Sequence, residues 1–278
     1  MEGIENDHMA KSFIPGKSYM KFSFVLPLAF AFIFAFASAS RPREIENYVR
    51  AVETNNVRNA RRALGKGVSV DDPIDETGFT ALMLAAEIGH VKMIKFLTDN
   101  GASMVKVDRY GYNPLHFAAG PKGASEGLIA CLEISKEGMN AIENEQGNTP
   151  LHFAAANGFV DKVTILVEAG ADLTIRNTIG NTPIIAACYR DNVAVLNYFL
   201  SLGVDHLEVN NQDSDCLAIA ARHNCFQIAR ILLDRINPTK LNYNTSILRA
   251  LGCAGSTEMR NLIAEYFPGT FSIFAPLA

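Results

Sequence analysis

The sequence predicts an all-α solenoid of stacked helix–turn–helix units with short β-turn or hairpin tips. Three observations lead there. Similar segments recur every 33 to 36 residues, each segment holds two apolar helical stretches, and glycines fall at fixed places around them. With 278 residues, 49% of them hydrophobic, the chain is long enough to bury a sizeable core. A charged fraction of 19% and a mean hydropathy of +0.09 exclude a wholly disordered or collagen-like polymer. A net charge of −4 speaks against a nucleic-acid partner, which asks for a basic face. Five cysteines without a CxxC do not make the framework of a small disulfide-held fold.

The elements follow in chain order. Phe22–Ala37 carries no charge, follows Lys11, Lys17 and Lys21, and runs into Ala37-Ser38-Ala39. A basic region, an apolar run and a small-residue exit are the parts of a secretory signal, so residues 1–39 are expected to be a signal peptide. A start at Met20 would give a more typical signal. The uncharged run is just long enough to remain as a membrane anchor, and a buried core helix is a third reading. Tyr48–Asp72 then reads as a helix pair closed by Gly67. From there the units align on Gly78, Gly111, Gly147 and Gly180. Asp75-Glu76-Thr77-Gly78 and Asp108-Arg109-Tyr110-Gly111 are turn sequences, with Asp first and Gly last. Thr149-Pro150 and Thr182-Pro183 place a capping hydroxyl before a proline at the first helical position. Leu151, Ala154 and Ala155 give the first helix a narrow apolar stripe, and the alanines allow close approach. Gly158 separates the two helices, Val160, Val163, Leu166 and Val167 face the core, and Gly170 suits a left-handed closing residue.

These residues carry a resemblance. The pattern G-x-T-P-L-H-x-A-A-x-x-G, followed by an apolar second helix and G-A-D, resembles the ankyrin repeat, most closely from Asn144 to Arg176. Residues 40–278 are read on that basis as one ankyrin-repeat domain. It comprises a capping repeat at 44–74 and repeats at 75–107, 108–143, 144–176 and 177–209. Degenerate repeats at 210–239 and 240–270 and a tail at 271–278 complete it. In the fifth unit Asp213 stands in place of the turn glycine, and Asp215-Cys216 in place of Thr-Pro. The second unit has extra residues around Gly120–Ser125, an insertion that is either drift in a surface loop or part of a binding face.

The resemblance also assigns roles. His116 and His152 are expected to be structural, tying helix starts to their surroundings, and His90 occupies another family position. No metal or cofactor is expected. His223 is read as solvated and Cys131 as a core residue. Cys216 could pair with Cys225 or Cys188 in an oxidising compartment. Asn244-Thr245-Ser246 is a glycosylation sequon, and Phe271 and Phe274 of the tail either cap the stack or dock a partner.

Partners of this family usually meet the turn tips and the short first helices, which line a concave face. Carried over, the tip positions are Glu76, Thr77 and Phe79; Arg109, Tyr110 and Tyr112; Glu145, Gln146 and Asn148; and Thr178, Ile179 and Asn181. The first-helix ends add Glu87 and Ile88, Ala156 and Asn157, and Tyr189 and Arg190. Phe79, Tyr110 and Tyr112 would form a hot spot, because aromatics and arginines anchor interfaces; the alternative is that they pack on the neighbouring turn. The expected function is a non-enzymatic protein-binding scaffold, secreted or periplasmic. A single-pass membrane-anchored adaptor is the alternative, and an effector engaging host proteins is a further one. A membrane is a partner only if the N-terminal segment is not cleaved.

Overall fold

A computed structural model describes residues 43–143, 145–235 and 241–267. The signal-like segment, Asn144, the first residue assigned to the last degenerate repeat, and the tail with Phe271 and Phe274 lie outside the described residues. Among the described residues the structure is all-helical, with fourteen helices and no strands. None of these helices is long and apolar enough to cross a membrane.

The helices come in antiparallel pairs. They are α1 (Arg43–Glu53) with α2 (Val57–Leu64), α3 (Ala81–Ile88) with α4 (Val91–Asp99), and α5 (Pro114–Ala119) with α6 (Ser125–Ile134). Then come α7 (Pro150–Ala156) with α8 (Val160–Ala169) and α9 (Pro183–Ala187) with α10 (Val193–Ser201). Last are α11 (Cys216–Arg222) with α12 (Phe226–Asp234) and α13 (Leu241–Cys253) with α14 (Thr257–Tyr266). First helices pack on first helices of the neighbouring pairs, and second helices on second helices. Each pair alone leaves an apolar flank open, which only the next pair covers. Alanine pairs sit at the close crossings: Ala85 and Ala86, Ala118 and Ala119, Ala154 and Ala155, Ala186 and Ala187, Ala220 and Ala221 are all buried. Leu82, Leu115, Leu151 and Ile184 fill one recurrent core position, at about 2 kcal/mol of burial each.

The starts of α5 and α7 show how a pair is tied to its successor. Thr149 caps α7 by accepting from the His152 backbone N–H, while the Thr149 N–H donates to His152 Nδ1. The ring is thereby fixed with its proton on Nε2, which donates to the Asn181 carbonyl of the next unit at 2.9 Å. Asn113 and His116 repeat the arrangement, with His116 Nε2 donating to Asn148 O at 3.1 Å. Burial lowers both imidazoles to about 4. His90 makes a similar link, its Nε2 lying 3.0 Å from the Glu53 carbonyl.

Thr182 departs from the expectation. Its hydroxyl makes no capping bond and has no partner, although it is buried. Ile185 stands where the histidine would be and offers the hydroxyl no ring nitrogen either. Asp215, by contrast, caps α11 by accepting from Ala218 N at 2.9 Å, so the Asp–Cys start keeps the cap that Thr–Pro supplies elsewhere. Asp213 adopts the left-handed φ of +54° at the turn-glycine position, a conformation that Asp tolerates better than most residues.

Two outcomes follow. Replacing Thr149 by Val should cost about 1 kcal/mol in urea unfolding, whereas Thr182→Val should be neutral or stabilising, because it removes an unpaired buried hydroxyl. The histidines bind protons more weakly when folded than the usual 6.5, so their contribution is complete above pH 6.5 and is lost as pH falls towards 4. Each is expected to remove roughly 3 kcal/mol by pH 4, and a urea series should show a shallower decline for His152→Gln than for the parent.

Candidate interaction surface

Five successive tips are each held by one side-chain acceptor near the start of the turn. Asp75 Oδ1 accepts from Thr77 N and Phe79 N, and Asp108 Oδ1 from Tyr110 N and Tyr112 N. Glu143, one residue farther from its turn glycine than Asp75 and Asp108 are from theirs, accepts from Glu145 N, Gln146 N and Asn148 N, its longer side chain spanning the extra residue. Asn177 and Asn210 do the same for the following turns. Backbone bonds join successive tips, from Arg109 N to Thr77 O, Thr178 N to Gln146 O and Asn211 N to Ile179 O. The side chains between are therefore displayed from a fixed frame. Gly78, Gly111, Gly147 and Gly180 all hold positive φ. A Cβ at Gly180 would also fall 2.4 Å from Asn211 Oδ1.

Asn148 and Asn181 were expected on exposed tips and are not exposed. Both are buried, and both belong to a ladder beneath the tips: Asn177 Nδ2 donates to Asn148 Oδ1 at 2.9 Å, and Asn210 Nδ2 to Asn181 Oδ1 at 2.8 Å. An amide that donates and accepts at once can link two turns, which is why burial costs nothing here. Asn181 Nδ2 also reaches the Tyr189 hydroxyl.

The tip aromatics pack as well as face outward. Phe79 stacks edge-on against Phe117 at 4.7 Å, and Tyr112 lies 5.5 to 5.9 Å from the rings of His116, Phe117 and Phe153. Tyr112 is half-buried, and burial raises its phenol well above the ordinary tyrosine range. Tyr110 leans on Tyr112 at 6.4 Å, and the Arg109 guanidinium sits over the Tyr110 ring and bonds its hydroxyl. Phe117 and Phe153 were missed in the sequence. They share the variable position between the histidine and the Ala-Ala pair, so a same-face comparison of units would have found them. Farther along, His223 is not freely solvated but stands 4.8 Å from the Tyr189 ring, half-buried, with its pKa lowered by desolvation. Gln146, Asn157 and Ile179 are half-buried, Glu87 and Tyr189 likewise, and Ile88, Arg109 and Arg190 are exposed.

The insertion of the second unit is folded back rather than projecting. Ala124 N donates to Glu87 O of the preceding unit, and Lys162 from α8 donates to Gly120 O. Lys162 lies over the Phe159 ring and is almost wholly covered, and desolvation draws its amine down to about 8. At Gly123 a Cβ would meet Ala118 O at 1.9 Å, so this close return needs glycine. The five thiols are free, and burial pushes Cys131 up to about 12 and Cys225 to about 11, opposite to an activated nucleophile. Among the described residues no group of three or more metal-ligating side chains converges.

A frame of stacked pairs with variable side chains on its tips defines a helical repeat protein of the kind that serves as a protein-interaction scaffold. The family model described as ankyrin repeats (3 copies) matches residues 49–136 and 171–245, and that of the single ankyrin repeat matches 146–178; together they cover more than half the chain, and the chain belongs to the ankyrin-repeat family. It is similar to the phosphocholine transferase AnkX of Legionella pneumophila, 28% identical over 52% of this chain and 16% of that protein. It is also similar to mouse ankyrin repeat and SOCS box protein 16, 28% identical over 63% of this chain and 39% of that one. Human palmitoyltransferase ZDHHC13 is 33% identical over 48% of this chain and 27% of its own length. The chain thus spans well under half of each of these relatives, and the two transferases are much longer than the stretch they share with it.

The packing of Tyr112 separates it from its neighbour. Tyr112→Ala should lower stability by about 2 kcal/mol through the lost ring contacts, while Tyr110→Ala should stay within about 0.5 kcal/mol, as read by thermal or urea unfolding.

Proposed function

We propose that the chain is a non-enzymatic scaffold that captures a protein partner through its tips and first helices, with Arg109, Tyr110 and the exposed edge of the Phe79–Tyr112–Phe117 cluster as the anchor. The observation that carries this reading is an aromatic group with an arginine at its rim, held on a hydrogen-bonded frame. Rings already fixed lose little entropy on binding, and a stacked guanidinium can serve a carboxylate or a carbonyl. Glu87, Ile88, Gln146, Asn157, Ile179, Tyr189 and Arg190 extend the same surface along the stack. The basic–apolar–small pattern of residues 1–39 supports export as the route by which the scaffold meets its partner; retention of Phe22–Ala37 as an anchor is the second reading, supported by its uncharged length.

The test uses affinity capture from the native compartment with the full chain and with Arg109→Ala/Tyr110→Ala. The thermal midpoint should be unchanged and partner recovery should fall at least about tenfold, as loss of a hot-spot pair requires. Undiminished recovery by the variant would remove the anchor from this surface.

A further inference from the structure

The first helix pair carries a charge pattern that partner capture does not use. Residues 1–66 hold 10 basic and 6 acidic side chains, whereas the rest of the chain holds 15 and 23, so a basic start is joined to an acidic stack. Within the first helix pair Arg43, Arg50, Arg58, Arg61, Arg62 and Lys66 are all exposed. Helix α2 has no acidic residue. Arg61 turns inward along the stack to lie over the Phe96 ring of α4. Arg50, Arg62 and Lys66 instead surround a concavity of about 280 Å³ between α1 and α2, with Asn47, Thr54 and Asn59 as further polar lining and Glu44 as its one acid. Against Glu44, Glu46 and Glu53 of α1, the six basic side chains leave the first pair with a net positive charge, more than the polar outer face that solubility of a terminal unit asks for. In the sequence the uncharged run Phe22–Ala37 precedes Arg43 by only five residues.

We propose that this end of the stack is a seat for an anionic phospholipid surface, with lipid phosphates received between Arg50, Arg62 and Lys66. Clustered Lys and Arg beside an apolar segment are attracted by the negative potential of an anionic leaflet. The acidic remainder is repelled by the same potential, so the solenoid stands end-on and its tips stay clear of the lipid. A phosphate oxygen meets guanidinium and ammonium donors at the concavity while the Asn59 amide supplies an uncharged donor at its wall. The attraction falls within a Debye length, so it is sensitive to salt.

The full chain is tested on phosphatidylcholine vesicles and on vesicles with about one third phosphatidylserine, reading arginine modification by phenylglyoxal with mass spectrometry. The two vesicle types differ in surface charge, so the comparison isolates the basic end. Labelling of Arg50 and Arg62 should fall about fivefold on the serine vesicles, while Arg230 and Arg260 at the far end stay as they are, and about 0.5 M NaCl should restore it. Arg62→Gln/Lys66→Gln should keep the thermal midpoint and abolish the protection of Arg50. Equal labelling on both vesicles, or equal protection of Arg230 and Arg260, would overturn the proposal. So would equal protection by about 10 mM inorganic phosphate without vesicles, which would make the concavity a site for a soluble anion.

Discussion

No helix pair in this chain can cover its own apolar flank, and the rest of the structure answers that constraint. The alanine pairs bring first helices close and the recurrent leucines fill the space between pairs, which leaves the exposed tip side chains outside the packing between helices. Polar groups follow the same logic. His116 and His152 each close a cap within one unit and spend the remaining ring proton on the next. The Asn148–Asn177 and Asn181–Asn210 pairs repeat that link one layer nearer the surface. Interaction energy therefore lies mainly between neighbours, which makes the units separable in sequence and inseparable in space.

This division explains how a binding surface can vary without loss of the fold. The turn acceptors Asp75, Asp108, Glu143, Asn177 and Asn210 hold the backbone, and exposed tip residues such as Glu76, Arg109, Glu145 and Thr178 can change without touching those bonds. Where the pattern lapses, a local substitute supplies the missing bond. Glu143 reaches as far as its turn demands, Asp215 caps where Thr is absent, and Asp213 accepts the glycine conformation while its carboxylate receives Arg249 of α13. At Thr182 no substitute exists, and a buried hydroxyl is left without a bond.

Much of the architecture was legible in the sequence because period, proline, glycine and alanine are local signals. The stacked all-helical fold and the close helix crossings could be read from them, while the structural part of His116 and His152 was implied by the family resemblance. What could not be read was the side on which each tip residue lies. Asn148 and Asn181 look like any polar turn residue, and only the partner amide 29 residues away shows that they are buried. The packing of Tyr112 depends on Phe153 in the next unit, and the stacking of His223 on Tyr189 in the one before. Such contacts cross between units, and a reading that moves along one unit at a time does not see them. Phe117 and Phe153 were hidden for the same reason, each being unremarkable until placed beside the other's unit.

The most direct test of neighbour-borne stability is native-state hydrogen exchange on the chain carrying Leu151→Ala, a cavity in the middle of the stack. Exchange should quicken most in α5 to α9 and progressively less towards α1 and α14. An equal increase in every helix would show that the chain opens as one globule, and would contradict the account.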